Sequence, residues 1–259
     1  MKYKRRKMGN FIGILFVLTM NGLANALPIN DLTTGEISDL YPVLFTPAGY
    51  VFSIWGLIYL LMIGFGILQF TSNYGDKIYI GKLGGWFFPS CILNGLWILT
   101  WHYLQIELSM LIIVLLLLNL IVIYHRLNHL PGRPRHLEKI FVRGFFSIYL
   151  AWVSVATIAN AFIYFDHSNL NNWILPEGQW MIILLTVGSI LALWFIVRER
   201  DRLFPLVFIW AYIGILVENQ NEEMVYWVAP GVLAGIILIS LLWVIRKDKV
   251  SEQYYNWMP

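Results

Sequence analysis

Apolar residues gather in long runs, at about 9-27, 47-70, 84-104, 108-125, 140-164, 179-197, 203-217 and 225-245. A hydrocarbon core about 30 Å thick takes about 20 helical residues at about 1.5 Å each, and it leaves no backbone group unpaired. The runs suit that length, and they lack the polar alternation that a closed barrel of strands requires. The pattern predicts an all-α integral membrane protein, a helical bundle of eight transmembrane helices of which the seventh is the shortest. Three connections are long enough to carry structure of their own, at about 28-46, 126-139 and 165-178. The first is acidic and holds turn formers and a Tyr41-Pro42 step, so it is either a solvated connector or a cover folded over the mouth of the bundle.

Charge orients the bundle. All 18 Lys and Arg fall in the segments 1-8, 71-83, 126-143, 198-202 and 246-249, which share one side if the crossings alternate. The other side holds Asp31, Glu36, Asp39, Glu107, Asp166, Glu177, Glu218, Glu222 and Glu223 and no basic residue. The positive-inside rule then places both termini in the cytoplasm, with the cell membrane as the expected location. The net charge of +3 is that asymmetry and not a nucleic-acid footprint; membrane lipid is the expected partner of the basic loops, and a homodimer is left open. Lys2 to Lys7, the run 11-20 and Ala24-Asn25-Ala26 also resemble a signal peptide, whose removal would leave seven spans in the same orientation.

Composition narrows the chemistry. Cys91 is the single cysteine, so an intramolecular disulfide and a Cys-based metal cluster are excluded. No ionisable side chain lies at the centre of a run, which argues against proton-coupled or voltage-sensing mechanisms and removes the usual acids and bases. His125 and His129 have the i, i+4 spacing of a ligand pair, but without a Cys or carboxylate partner they read as surface residues; no metal site is expected. His102 and His167 read as interfacial.

Of the 12 tryptophans, Trp86, Trp194 and Trp243 at one set of span ends, and Trp101, Trp173, Trp180 and Trp227 at the other, fit the aromatic belts of a bilayer; Trp257 is in the tail. Trp55, Trp97, Trp152 and Trp210 lie inside spans, where an indole N–H wants a partner or a polar cavity. Asn94 precedes Trp97 by three residues and Asn160 follows Trp152 by eight, which aligns each pair on a helix face. The alternatives are a Trp- and Asn-lined space and ordinary interhelical packing.

A family resemblance favours the former. Tyr149-Leu150-Ala151-Trp152-Val153-Ser154, followed by Ala156 and Asn160, resembles the fifth-helix signature Pro-Tyr-Leu-x-Trp-x-x-Phe-Ala-x-x-Leu-Asn of the tryptophan-rich sensory protein (TspO/MBR, translocator protein) family. Leu93-Asn94-x-x-Trp97 is similar to its third-helix Leu-Asn-x-x-Trp, and the stretch from Pro47 through Trp55 to Tyr59 is similar to the start of its second helix. Departures are a single Pro47 for paired prolines, Tyr50 for a Trp, Ile148 for the fifth-helix proline and Val155 for its Phe. The motifs cover about 9-165, which implies an extended, divergent member: a five-helix core over 1-165 and a three-helix C-terminal extension with a cytoplasmic tail over 166-259.

The resemblance implies a membrane receptor for a porphyrin-like or other flat hydrophobic ligand, such as protoporphyrin or haem, with a role in stress sensing and no required cofactor. It implies a pocket under the first outer loop, lined by Trp55, Tyr59, Asn94, Trp97, Trp152, Ala156 and Asn160. It assigns no catalytic residue and points away from an enzyme, while leaving light-dependent porphyrin degradation open. The competing readings are a facilitator of hydrophobic solute transport and a membrane scaffold, the latter supported by Gly231, Ala234 and Gly235 on the last span.

Overall fold

In a computed structural model, which describes residues 2–26, 29–71, 77–128, 134–168 and 175–255, the chain is helical, with no strand among the described residues. His129, Trp173 and Trp257 lie outside those residues. The helices are α1 (Lys2–Ala26), α2 (Thr34–Asp39), α3 (Ile54–Leu68), α4 (Lys77–Leu83), α5 (Phe87–His102), α6 (Ile106–Asn128), α7 (Phe145–His167), α8 (Glu177–Trp194), α9 (Phe204–Glu218) and α10 (Met224–Tyr255). A 3-10 turn, Gly49–Ser53, leads into α3, and π-helical turns precede α7 at Lys139–Gly144 and follow α8 at Phe195–Glu199.

Six helical stretches are long and apolar enough to cross a membrane. The other two predicted spans form shorter helices, α5 with 16 residues and α9 with 15. The short helix α4 and the helical turn of α2 were not separated from their loops by periodicity, because each is too brief for its pattern to repeat.

α7 is the hub: within the stretch His136–His167, 78% of the most apolar window is buried, against 22% for α10. α7 packs against α6, α3 and α9; α5 lies between α1 and α6, while α10 packs on α8 and α9. Close approach is bought by glycine: Gly95 receives the Phe16 ring, Gly64 that of Phe141 and Gly188 those of Tyr212 and Phe208, so a Cβ at any of them would collide. Large apolar side chains such as Leu60, Ile67, Ile239 and Trp243 stand exposed on the outside of the bundle, as they do where lipid is the solvent. Among the residues whose side chains the structure describes, no Asp, Glu, Lys or Arg is buried.

Contacts between loops sort the helix ends into two groups independently of the charge count. At the basic end, Arg6 donates to the carbonyl of Gly81, Arg126 to that of Lys82, and Tyr124 to Asp201. At the acidic end, Asn30 meets the His102 carbonyl, Asn219 the Leu44 carbonyl, and His167 lies 3.6 Å from Glu107. Segments grouped by charge alone are therefore grouped in space as well.

Candidate functional site

The first long connection is a cover. Thr33 and Glu36 form a reciprocal capping box that starts α2; the backbone and hydroxyl of Thr33 hold the Glu36 carboxyl below its ordinary pKa. Burial, with the charge of Glu36 adding to it, raises that of Asp39. The cover is anchored on α5: Trp101 Nε1 donates to the Thr34 carbonyl at 3.2 Å, while the His102 ring bridges the Thr34 hydroxyl at 3.2 Å and the Ile29 carbonyl at 3.0 Å. It is anchored a second time by the C-terminal helices. The Leu44 N–H donates to Glu177 of α8 at 2.9 Å, Asn219 Nδ2 donates to the Leu44 carbonyl at 2.9 Å, and the Ala48 N–H donates to the Gly214 carbonyl of α9 at 3.2 Å.

These contacts correct two expectations. Trp101 and His102 do not sit in an interfacial belt: they are 2% and 0% exposed, because the cover closes over them. Trp86, Trp194 and Trp243 are exposed near the basic end, as expected of belt residues, and Trp210 finds its acceptor in the Val51 carbonyl at 3.1 Å. His102→Ala should destabilise this end clearly, since it strands the buried Thr34 hydroxyl, at about 1–3 kcal/mol, and takes a partner from the part-buried Ile29 carbonyl. The expected readout is a clear fall in the thermal midpoint of the full-length protein in detergent, with His167→Ala, at the exposed rim, as the silent control.

Beneath the cover lies an enclosed cavity of about 30 Å³, lined by Trp55 on α3, Trp97 and Trp101 on α5, Trp152, Ala156 and Asn160 on α7, and Ser38, Pro47 and Phe52 from the cover. Trp55 is the centre of the aromatic cluster. It stacks on Tyr59 at 5.6 Å and 17°, and its ring centroid lies 6.0 Å from Trp97, 6.1 Å from Tyr149 and 6.2 Å from Trp152, the last edge-on at 88°. Trp97 in turn stacks on Trp101 at 6.1 Å and 18°. Edge and offset geometries of this kind are the ones that aromatic rings prefer.

The polar atoms of the cluster divide into two kinds. Asn94 points into the bundle and is satisfied, accepting from Asn21 at 2.8 Å and donating to the Tyr149 hydroxyl at 3.1 Å, which ties α1, α5 and α7 together. Asn160 donates to the Ala156 carbonyl at 3.1 Å and accepts from Ser109 at 3.2 Å. By contrast, the indole N–H groups of Trp55, Trp97 and Trp152 and the hydroxyl of Tyr59 are buried with no hydrogen-bond partner. Leaving one buried donor unpaired costs about 1–3 kcal/mol, and native proteins keep few of them.

Of the seven residues picked from the sequence, the cavity thus brings together Trp55, Trp97, Trp152, Ala156 and Asn160, while Tyr59 and Asn94 lie beside it. Trp101, Pro47, Phe52 and Ser38 were missed. Trp101 follows Trp97 by four residues, one turn along the same face, and that spacing was the available signal. The walls carry no charged group, and among the described residues no cluster of His, Cys, Asp or Glu could hold a metal. What the arrangement offers a guest is aromatic surface and hydrogen-bond donors.

The model of the TSPO-like protein family matches residues 7–243, a stretch that runs past the motif-bearing helices and through α8 and α9 into α10. No curated protein and no solved structure matches the chain. On the breadth of that match, the chain belongs to the TSPO-like protein family.

Proposed function

We propose that this multi-pass membrane protein is a receptor that takes a flat hydrophobic ligand of the porphyrin kind, such as protoporphyrin or haem, between α3, α5 and α7. The observation that carries this reading is the set of unpartnered donors at Trp55, Tyr59, Trp97 and Trp152 around one aromatic cavity. The propionates at the edge of such a ligand would accept from the indoles while the macrocycle lies against their faces. A cavity of about 30 Å³ holds about one water, whereas sites for ligands of this size span about 300–1,000 Å³, so binding requires the cover over residues 29–53 to lift. That coupling of occupancy to a surface loop is what a sensor needs. Ligand class is tested by titrating the purified protein with protoporphyrin, a sterol and a fatty acid while following Trp emission. Protoporphyrin should bind tightest, and a sterol that displaces it at equal concentration would overturn the porphyrin assignment.

In the same reading the chain crosses the cell membrane eight times, α5 and α9 included, with both termini cytoplasmic. Residues 1-165 are then a ligand-binding core and 166-259 an extension that clamps its cover. Reporters fused after Asp39, Glu107 or Glu222 should report the outside, and those after Lys82, Arg135 or Lys249 the cytoplasm. If fusions after Arg135 and Lys249 fall on opposite sides, the even number of crossings between them is refuted.

A further inference from the structure

At the basic end, a second set of hollows shares no lining residue with the tryptophan cavity. A polar hollow of about 460 Å³ lies between α6, the π-helical turn before α7 and the α8–α9 connection, and Lys139, Arg143, Arg200 and Arg202 line it. Its acids are already engaged by neutral donors. Asp201 accepts from the Tyr124 hydroxyl at 2.7 Å and from the Leu203 and Phe204 N–H groups at 2.9 and 3.1 Å, which starts α9, while Glu199 accepts from Asn128 at 3.3 Å. Among the described residues Lys139, Arg143 and Arg200 form no ion pair. The floor supplies a second, independent sign of a ligand: Ser147, 2% exposed, lines the hollow with a buried hydroxyl that has no hydrogen-bond partner.

The polar hollow continues into an apolar groove. Lys139, Gly144, Arg202 and Leu203 are shared with a neighbouring hollow of about 680 Å³, which in turn shares Leu57, Ile148 and Leu203 with a third of about 420 Å³ ending at Leu206, Val207 and Trp210. The groove therefore runs from a cationic mouth at the helix ends, along the seam of α3, α7 and α9, to a depth of seven residues on α9, or about 10 Å. Leu57 and Leu206 are half-exposed on its rim, so it opens sideways toward lipid and not into the bundle.

We propose that this groove seats one anionic phospholipid of the leaflet at the basic end, its phosphate at Lys139, Arg143 and Ser147 and one acyl chain along Leu57, Ile148 and Leu206. The charge complementarity chooses the headgroup. A zwitterionic lipid brings a choline or amine into a mouth already rich in cations, whereas an anionic one neutralises them and gives the Ser147 hydroxyl an acceptor. The apolar seam opens to the bilayer beside the cationic mouth, so a lipid whose phosphate is held there can lay its own acyl chain along Leu57, Ile148 and Leu206, which a soluble phosphate cannot do.

The test uses full-length protein in phosphatidylcholine nanodiscs doped with phosphatidylglycerol that carries a photoreactive diazirine in its acyl chain. Crosslinks should concentrate on Ile148 and on the stretch Leu203 to Trp210, and equally labelled phosphatidylcholine should give about tenfold less. The pair Lys139→Gln with Arg143→Gln should lower labelling by about tenfold, and Leu206→Trp, which fills the groove from its exposed rim, should lower it without touching the mouth. The pair Arg5→Gln with Arg6→Gln, on α1, should leave it unchanged. Equal labelling by the two lipids, crosslinks spread evenly over the exposed face of α10, or full labelling of the Leu206→Trp protein would each overturn the proposal. Loss of labelling on adding millimolar inorganic phosphate would also overturn it, by making the mouth a site for a soluble anion.

Discussion

Trp152→Phe and Trp55→Phe should each weaken protoporphyrin binding about five- to tenfold, the equivalent of one buried hydrogen bond, while leaving the protein folded. Phe keeps an aromatic ring among Phe52, Trp97 and Tyr149, so the ring contacts near 6 Å survive. What it removes is an indole N–H that has no other partner, so in the free protein the substitution relieves a burial cost where most Trp→Phe changes would add one. The prediction therefore has two signs: affinity falls, and the thermal midpoint of the unliganded protein stays level or rises. Trp101→Phe, whose indole donates to the Thr34 carbonyl, should lower the midpoint instead. Trp243→Phe, on the exposed face of α10, should change neither quantity. If light-driven loss of bound porphyrin accompanies binding, it should fall in the Trp55 and Trp152 variants, because a Trp gives up an electron more easily than a Phe. Binding with no such loss leaves a receptor without photochemistry.

Asn219→Leu should loosen the cover without touching the cavity. The Asn219 amide donates to Leu44 in the cover and to Ile215 in its own helix, at 2.9 and 2.8 Å, and the residue is 5% exposed. Leu leaves the Leu44 carbonyl without that donor, a loss of about 1–3 kcal/mol that falls on the closed state alone. Hydrogen exchange at the amides of Leu44, Thr46 and Ala48 should quicken by about tenfold or more, and protoporphyrin should associate faster. Glu177→Gln keeps an acceptor for the Leu44 N–H but removes its charge, so its effect should be smaller. Unchanged exchange in Asn219→Leu would mean that the extension does not hold the cover, and association would then be limited elsewhere.

How far the sequence reached is set by the range of the forces involved. The membrane class and the two ends of the bundle were legible because chain length against bilayer thickness and the placement of Lys and Arg are local properties. The aromatic cavity was legible in part, since Trp97 and Asn94, or Trp152, Ala156 and Asn160, share helix faces by spacing alone. Spacing does not say which face looks where, so Asn94, on the same turn as Trp97, turns out to be spent on Asn21 and Tyr149. Trp101 and His102 were misread because an aromatic residue at a span end looks the same whether lipid headgroups or a folded loop lies above it. The clamp on the cover was not legible, since it joins Leu44 to Asn219 and Glu177 across most of the chain. Gly214, set in the middle of an apolar run, was its one local trace: a Cβ there would strike Val51 and Pro47 of the cover.

Whether the tryptophan cavity opens to take a porphyrin is tested by one titration: wild-type protein at low micromolar concentration, with protoporphyrin added and Trp emission recorded beside that of the Trp55→Phe/Trp152→Phe double variant. Quenching of the wild-type protein should saturate at one ligand per chain, with a clearly weaker affinity in the double variant. An absence of saturable quenching in the wild type, or the same affinity in both proteins, would contradict it.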